Sequence, residues 1–364
     1  MTKMVLKDIS LTQDSEEIIY DLSATFKSGI NLLIGPTTAG KTTLMRIIAG
    51  LVKPTTGTVS LDGVDITKIP VQQRSVSFVY QQFINYPSLS VFDNIASPLL
   101  ASKKKPAKEE VAARVEEMAK LLGLTPFLKR KPSELSGGQQ QRVAIARALA
   151  RPADIVLLDE PLANLDYKLR EQLRAELQSI FSDEKSIVIY STAEPSEALE
   201  FATDTFVMDE GRLIQTGKAL DIYQAPKSVA AAIAMADPPI NLLASTVDGK
   251  TANFGPESFK FSRPELSDSA KAITMGIQPG KITLEAASSK SVAIKCQVQL
   301  AEVTGSSTFV HVKLESGEQI VIEVEGTQNF ALDKKITAYF EPADLYGFEP
   351  TSGKAIFAPI SGGK

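Results

Sequence analysis

A glycine-rich segment at residues 35–42 has the residue types and the spacing that bind phosphate. It reads Gly-Pro-Thr-Thr-Ala-Gly-Lys-Thr and fits the pattern Gly-x4-Gly-Lys-Ser/Thr. The apolar residues 30–34 before it predict a strand, and residues 42–49 after it predict a helix that ends at Gly50. Because this pattern requires a strand on one side and a helix on the other, the context favours a nucleotide site over a chance glycine-rich turn. We call residues 35–42 the phosphate loop.

Each part of the phosphate loop has a predicted contact. The backbone N–H groups of residues 37–41 surround the phosphates, and the helix N-terminus adds its positive dipole end. Gly40 allows close approach of the main chain, Lys41 reaches the β- and γ-phosphates of ATP, and Thr42 offers a hydroxyl to Mg²⁺. The predicted ATP-binding residues are Gly35, Pro36, Thr37, Thr38, Ala39, Gly40, Lys41, Thr42 and Thr43.

Two adjacent carboxylates, Asp159 and Glu160, follow the all-apolar residues 155–158. Such a run is typical of a strand buried on both faces of a parallel sheet, and ligands bind at the carboxyl ends of those strands. Asp159 is therefore predicted to hold Mg²⁺ through water, and Glu160 to orient or deprotonate the attacking water. A pair of surface carboxylates after a strand is the alternative, which the phosphate loop disfavours. We call these two residues the acidic pair.

A second glycine-containing turn precedes the helix predicted at residues 139–150. It consists of Ser136, Gly137, Gly138 and Gln139, and we call it the diglycine turn. Two glycines at a helix N-terminus predict another anion-binding nest. A serine that only capped the helix would need neither glycine.

The length of 364 residues and the pattern along the chain predict two domains. Strands alternate with helices over residues 1–237, which predicts an α/β domain with a helical subdomain at about 83–152. The pattern then changes. Alternating segments at 308–314 and 320–324 predict a hairpin within a small all-β domain at residues 241–364.

Bulk properties limit the possible functions. The net charge of −4 argues against a nucleic-acid partner. The single cysteine, Cys296, excludes an internal disulfide and fits a reducing cytoplasm. The first residues lack a signal-peptide pattern, and no apolar run approaches the roughly 20 residues that span a bilayer. A function at a membrane would therefore need a membrane-spanning partner.

In their order and spacing, the phosphate loop, residues 135–139 (Leu-Ser-Gly-Gly-Gln) and the acidic pair resemble the ATP-binding subunits of ABC transporters. The resemblance implies a P-loop ABC ATPase domain. It also implies that the diglycine turn caps the γ-phosphate of ATP held by an opposite subunit. One chain then carries two half-sites that cannot meet within it, so a dimer is expected.

The resemblance assigns three further positions. Gln81 is expected to reach the metal and the attacking water, and to lie at the contact with membrane subunits. Gln82 is the alternative in register, and a solvent-facing glutamine is the alternative in role. Asp166 matches the loop that crosses the dimer seam. Ala193 stands where the family usually has a histidine that contacts the γ-phosphate.

Two family features are missing from the chain's own ATP site. Ala193 cannot bond the γ-phosphate. Residues 11–14 lack the aromatic residue that the family stacks on adenine, and Tyr20 is too far along the chain. The sole histidine, His311, lies in the C-terminal hairpin without clustered metal ligands. Because the diglycine turn is intact, the expectation is a heterodimer with a different, complete ATPase subunit.

The C-terminal part resembles the OB-fold (oligomer-binding-fold) regulatory domain of maltose- and glycerol-phosphate-type importer ATPases, through residues 275–279 (Met-Gly-Ile-Gln-Pro). Residues 80–89 and the lost histidine resemble the two unequal ATPase subunits of bacterial glycerol importers. This implies an importer of a small polyol or sugar, with glycerol the first candidate. It also implies two membrane-spanning permease subunits, a periplasmic solute-binding protein, and a peripheral location on the cytoplasmic face of the bacterial inner membrane.

Two other functions compete with this interpretation. A non-hydrolysing regulatory subunit would bind ATP only to hold a membrane complex together, and the intact Glu160 argues against it. A DNA-repair ABC ATPase would insert a long coiled coil between the phosphate loop and the diglycine turn. The roughly 95 residues between Lys41 and Ser136 leave no room for one.

Overall fold

The computed structural model describes residues 2–82, 84–101, 106–163, 165, 167–181, 185–201, 203–266 and 271–360. The chain divides into two compact units, Met1–Thr216 and Gly217–Lys364. This division lies before the boundary predicted at 237–241.

The first unit is built from alternating strands and helices. Its strands are β1 (Lys3–Gln13), β2 (Glu16–Lys27), β3 (Gly29–Ile34), β4 (Thr56–Leu61), β5 (Val64–Asp65), β6 (Val76–Val79), β7 (Ile155–Asp159), β8 (Ile187–Thr192), β9 (Asp204–Asp209) and β10 (Arg212–Lys218). Its helices are α1 (Lys41–Ala49), α2 (Val91–Leu100), α3 (Lys108–Leu121), α4 (Gly137–Ala150), α5 (Tyr167–Phe181) and α6 (Pro195–Phe201).

A central sheet in the order β10-β9-β3-β8-β7-β6 carries the functional residues. Strands β6, β7, β8, β3 and β9 pair in parallel, so their carboxyl ends share one edge of the sheet. Every residue of β7 and β8 is buried, as the all-apolar runs at residues 155–158 and 187–190 predicted. The prediction of an α/β domain with a parallel sheet is confirmed.

A second, antiparallel sheet in the order β2-β1-β4-β5 contributes to the same core. The rings of Phe26 in β2 and Phe206 in β9 have their centroids 4.4 Å apart. Buried side chains of α1, including Leu44 and Ile48, belong to this core as well. Helix α1 is therefore fixed in position by apolar contacts behind the phosphate loop.

Helices α2, α3 and α4 form the predicted helical subdomain. Val111, Val115 and Met118 are buried at helical spacing along α3, as expected from the sequence. Ser90 caps α2 by accepting a hydrogen bond from the Asp93 N–H. Buried Asn94 of α2 bonds four backbone groups of Tyr86, Leu89 and Ser90, which fixes the irregular segment before α2.

The second unit begins with the last two residues of β10, followed by two short helices and then by strands. The helices are α7 (Ala219–Gln224) and α8 (Val229–Ala234). The strands are β11 (Asn241–Asp248), β12 (Thr251–Phe254), β13 (Glu257–Lys260), β14 (Lys271–Ile277), β15 (Ile282–Thr283), β16 (Val292–Val303), β17 (Ser307–Leu314), β18 (Gln319–Glu325), β19 (Lys335–Phe340), β20 (Tyr346–Phe348) and β21 (Ala355–Phe357).

The short helices belong to this unit for a packing reason. Ala232 of α8 is buried in one cluster with Ile240, Tyr346 and Phe348, and the Val229 N–H donates to the Gly353 carbonyl. Apolar contacts thus attach residues before Pro238 to the β-rich unit, and no local sequence pattern indicates this.

The remainder of the second unit is all-β and barrel-like, as predicted. Its sheets run in the orders β13-β12-β11-β14-β20-β21 and β15-β19-β16-β17-β18. They share a core in which the rings of Phe254 and Phe340 lie 5.1 Å apart. The predicted hairpin is confirmed as the antiparallel pair of β17 and β18, with Val310 opposite Ile322. Among the described residues, no helix is long and apolar enough to cross a membrane.

Candidate ATP site

The phosphate loop joins the carboxyl end of β3 to the start of α1. Gly40, at the N-cap of α1, has a φ of 91°, a conformation that costs other residues more than glycine. No described side chain caps this helix. The first N–H groups of α1 therefore remain available to an anion, since they have no partner within the helix. Thr43 lies in this first turn, while Pro36, Thr37 and Thr38 are exposed.

Lys41 closes the base of the phosphate loop. Its side chain is 2% exposed, and its Nζ donates to the carbonyl oxygens of Gly35 at 2.7 Å and Pro36 at 3.0 Å. Nζ also lies 3.2 Å from Glu160 Oε1. Burial lowers the pKa of Lys41 below its ordinary value, and the charges of Glu160 and Asp159 oppose that shift. The ammonium is thus held between the loop and the acidic pair.

Asp159 is bound on both carboxylate oxygens. Thr42 Oγ1 donates to Oδ2 at 2.8 Å, and Ser191 Oγ donates to Oδ1 at 2.8 Å. The adjacent Thr42 hydroxyl and Asp159 carboxylate are hard oxygen donors of the kind that Mg²⁺ prefers, so they fit the expected metal. Ser191 was not among the residues singled out in the sequence. The available signal was a serine directly after the apolar residues 187–190; its register with Asp159 appears only in the structure.

Glu160 contacts Gln81 and Lys41 at once. Gln81 Nε2 donates to Glu160 Oε2 at 2.8 Å, so it is Gln81 rather than Gln82 that meets the acidic pair. Glu160 has a φ of 43°, in the left-handed region that is unfavourable for a non-glycine residue. The structure therefore brings together the predicted residues Lys41, Gln81 and Glu160; their catalytic roles stay a prediction.

The diglycine turn begins helix α4, with Ser136 and Gly137 exposed and Gly138 and Gln139 half-buried. Ser136 is the N-cap of α4, and its hydroxyl accepts from the Gln139 N–H at a long 3.4 Å, while Gln139 Oε1 accepts from the Ser136 N–H at 3.0 Å. A Cβ on Gly138 would lie 2.2 Å from Leu169 Cδ2, which explains a glycine there. Within the described part of the chain, no hydrogen bond joins this turn to the phosphate loop.

Ala193, which stands where the family usually has a histidine, lies at the end of β8. Ala193 is exposed directly after β8, at the sheet edge that also holds the acidic pair. Thr192 before it accepts from the Glu194 N–H at 2.9 Å. A methyl group thus occupies the position expected for a histidine. Asp166, assigned to the dimer seam, lies outside the described residues.

Tyr20 and His311 contact residues other than Lys41 and the acidic pair. The Tyr20 N–H donates to the Gly211 carbonyl, and the Gly211 N–H donates to the Ala39 carbonyl, so Tyr20 lies two hydrogen bonds from the phosphate loop. The Arg212 guanidinium covers the Tyr20 ring at 4.2 Å. His311 Nε2, in the second unit, lies 3.4 Å from Glu302 Oε1 on the neighbouring strand. No group of metal-binding side chains was found among the described residues.

A glycine-rich loop between a buried parallel strand and a helix, with an acidic pair at the end of a neighbouring strand, defines a P-loop nucleotide-binding protein. A family model described as "ABC transporter" matches residues 19–163, and one described as "TOBE domain" matches residues 275–348. The chain belongs to the family of ABC transporter ATP-binding proteins.

Similar proteins cover most of the chain. The uncharacterised ABC transporter ATP-binding protein YcjV of Escherichia coli is 32% identical over 360 residues, which are 97% of this chain and 95% of the relative. The sn-glycerol-3-phosphate import ATP-binding protein UgpC of Yersinia enterocolitica is 35% identical over 329 residues, 88% and 90% of the two chains.

Solved structures match the ATPase part. The ATP-binding cassette MJ0796, described as a dimeric post-hydrolysis state bound to ADP and Pi, superposes with a TM-score of 0.54 at 30% identity. The match covers 59% of this chain and 98% of that one.

Proposed function

We propose that this chain is the ATP-hydrolysing subunit of an ABC importer. The observation that carries the proposal is the cluster of Lys41, Thr42, Gln81, Asp159 and Glu160 around the phosphate loop. Lys41 and the N–H groups of α1 would hold the phosphates, and Thr42 and Asp159 would hold Mg²⁺. When bound, Mg²⁺ neutralises charge on the phosphates.

The proposed reaction is attack of water on the γ-phosphorus of ATP. The new oxygen–phosphorus bond forms as the bond to the β-phosphate oxygen breaks, and ADP leaves with that electron pair. Glu160 accepts the proton of the attacking water, while Gln81 orients both groups. A Glu160→Gln variant would keep the shape of the side chain but lose its ability to accept this proton.

The site is proposed to be completed across a seam between two ATPase subunits. The exposed diglycine turn would cap the γ-phosphate held by the opposite subunit, so that two ATP molecules bind the subunits together. Hydrolysis removes the bridging charge and the dimer opens. The dimeric state described for MJ0796, with ADP and Pi, supports this arrangement.

The opposite subunit is proposed to be a different ATPase with complete motifs. Ala193 leaves this chain's own site without a histidine, while its diglycine turn is intact. The test is ATP turnover by the purified chain alone, compared with the complex that co-purifies from cells. Slow turnover alone and fast turnover in a complex with a second, histidine-bearing ATPase are expected. Fast hydrolysis by the isolated chain that is lost in Glu160→Gln would contradict the heterodimer.

The proposed solute is a small polyol, a sugar or a related phosphate, with glycerol as the first candidate. The support is the resemblance of residues 80–89 to glycerol importers and the name of the relative UgpC, an sn-glycerol-3-phosphate import ATP-binding protein. Uptake of labelled glycerol and glycerol phosphate by cells with and without the gene would distinguish these solutes.

Two permease subunits and a periplasmic solute-binding protein are proposed to complete the importer at the cytoplasmic face of the bacterial inner membrane. A cleft of about 430 Å³ lies between β6, α2 and α4, and we propose that it receives a permease segment. Its lining combines apolar and aromatic side chains with a charged one, and includes Phe78, Tyr86, Leu89, Pro98 and Arg147. The Arg147 guanidinium lies 5.1 Å from the Tyr86 ring centre, and Tyr86 itself is 50% exposed.

A second candidate is a regulatory subunit that binds ATP without hydrolysing it. The exposed Ala193 favours it, because the position has no polar group for the γ-phosphate. Restoring the histidine with Ala193→His separates the two functions. A rise of at least about tenfold in the ATPase rate of the complex would indicate a catalytic site limited by that loss. An unchanged rate would favour the regulatory function.

A further inference from the structure

Ser191 touches both members of the acidic pair with one hydroxyl group. Its Oγ donates to Asp159 Oδ1 at 2.8 Å and accepts from the Glu160 N–H at 3.0 Å. A serine hydroxyl has a single proton to donate and can accept as well, so this proton is committed to Asp159. Ser191 is fully buried, which leaves no access for a water molecule to replace either bond.

We propose that Ser191 is a positioning residue for the ATP site, which sets the different directions of the two carboxylates. This inference rests on the proposed ATPase function. The Ser191 hydroxyl holds Asp159 Oδ1, so that Asp159 Oδ2 is directed to Thr42 Oγ1 at 2.8 Å. It is a separate group from Ala193, two residues further along the chain.

The same hydroxyl supports the unusual backbone of Glu160. A φ of 43° is unfavourable for a residue with a Cβ, and such conformations persist when surrounding bonds determine them. Here the Glu160 N–H is shared between the Ser191 carbonyl at 3.1 Å and Ser191 Oγ at 3.0 Å. This backbone directs the Glu160 carboxylate to Lys41 and Gln81. Without the hydroxyl, both carboxylates gain rotational freedom.

The strand pairing explains why a side chain at position 191 can contact both members of the acidic pair. Ser191 of β8 is opposite Asp159 of β7 and opposite Leu33 of β3, at the edge where the phosphate loop begins. Thr192 bonds the backbone of Glu194 instead. The polar contribution of β8 to Asp159 therefore comes from Ser191.

The test measures the affinity of the full chain for a non-hydrolysable ATP analogue by calorimetry, once with Mg²⁺ and once with EDTA. Two comparisons isolate the effect of the hydroxyl group, because one member of each pair has it and the other lacks it. They are wild type against Ser191→Ala, and Ser191→Thr against Ser191→Val. In Mg²⁺, we expect the variants without a hydroxyl to bind roughly ten- to hundredfold more weakly than their partners, as for groups that orient metal ligands. In EDTA, each pair should agree within about twofold.

Ser245→Ala is the matched control, because Ser245 is also buried and its hydroxyl donates to the Leu243 carbonyl in the second unit. It should leave both affinities unchanged. Equal affinities within each pair in Mg²⁺, or equal losses in Mg²⁺ and in EDTA, would overturn the positioning role, since a structural defect acts under both conditions. A wild-type chain that binds no analogue under either condition would instead overturn the proposed function itself.

Discussion

The phosphate loop and the diglycine turn are both glycine-containing turns at the start of a helix, yet their surroundings differ. Lys41, Thr42 and the acidic pair are joined in one network behind the phosphate loop. Ser136 and Gly137 of the diglycine turn are exposed, and Ser136 and Gln139 bond each other's backbone. One turn has its catalytic groups in the same chain, whereas the other offers mainly backbone N–H groups.

This difference separates two tasks that a helix N-terminus can perform. A turn that must support chemistry needs a cation and carboxylates at fixed distances. In the phosphate loop's case, helix α1 supplies the cation Lys41, and the end of the buried strand β7 supplies the acidic pair. A turn that only grips an anion from another chain needs access and small residues. Variants in the phosphate loop and in the diglycine turn are therefore expected to affect different measurements.

The largest expected effect is at Lys41. Lys41→Ala should weaken ATP binding by the isolated chain at least about hundredfold, because about two charge-assisted hydrogen bonds of roughly 1.5–3 kcal/mol each are lost. Calorimetry on the purified chain measures this affinity. A variant that binds ATP as tightly as wild type would show that the network behind the phosphate loop does not hold a nucleotide.

The next effect concerns the subdomain that carries the diglycine turn. Asn94 is fully buried and bonds four backbone groups, so Asn94→Ala should lower the free energy of unfolding by about 2–3 kcal/mol. Urea unfolding measures this loss. As a control, Asn253→Ala removes an amide bonded to Thr246 and should cost about 1 kcal/mol or less. ATP affinity should remain within about twofold of wild type if the two sides are independent.

A smaller effect is expected at Ser136. Removing this N-cap with Ser136→Ala should cost about 1 kcal/mol of stability and leave ATP binding by the isolated chain unchanged. ATPase turnover of the assembled complex should fall, because the turn would contact the partner's ATP. Ser228 caps α8 in the same way, so Ser228→Ala should cost similar stability without slowing the complex. Equal turnover in both variants would remove the distinction between the two turns.

The smallest expected effect is a pH dependence of stability at Glu197, in helix α6 directly after β8. Burial raises the pKa of Glu197, whose carboxylate accepts a hydrogen bond from Tyr190 at 3.2 Å. The folded chain then binds this proton more tightly than the unfolded chain, so stability falls as pH rises from the ordinary carboxyl range through the folded pKa. Glu197→Gln should be more stable than wild type at neutral pH.

Thermal unfolding at several pH values checks this prediction. The stability difference between Glu197→Gln and wild type should shrink as the pH is lowered towards and below about 4, where the unfolded wild-type chain also binds the proton. A difference that stays constant across this range would show that Glu197 does not titrate differently in the folded chain. The effect would then belong to the shape of the side chain.

Most of the elements could be predicted because their patterns are local. The apolar residues 155–158 and 187–190 indicated buried strands, and alternation at 308–314 indicated the hairpin strand β17. The division between the units was less accessible. Residues such as Ala232 join the β-rich unit through contacts with Tyr346 and Phe348, more than 100 residues away, which no local pattern encodes.

By itself, the sequence determined which residues can carry the chemistry, since a phosphate loop, an acidic pair and a diglycine turn depend on short spacing along the chain. Only the tertiary structure decided which of them meet. It selected Gln81 over Gln82 as the partner of Glu160, and it placed Ser191 between Asp159 and Glu160. The physical reason is that parallel strands distant in the sequence align their ends at one edge, so hydrogen-bond partners are chosen by sheet register.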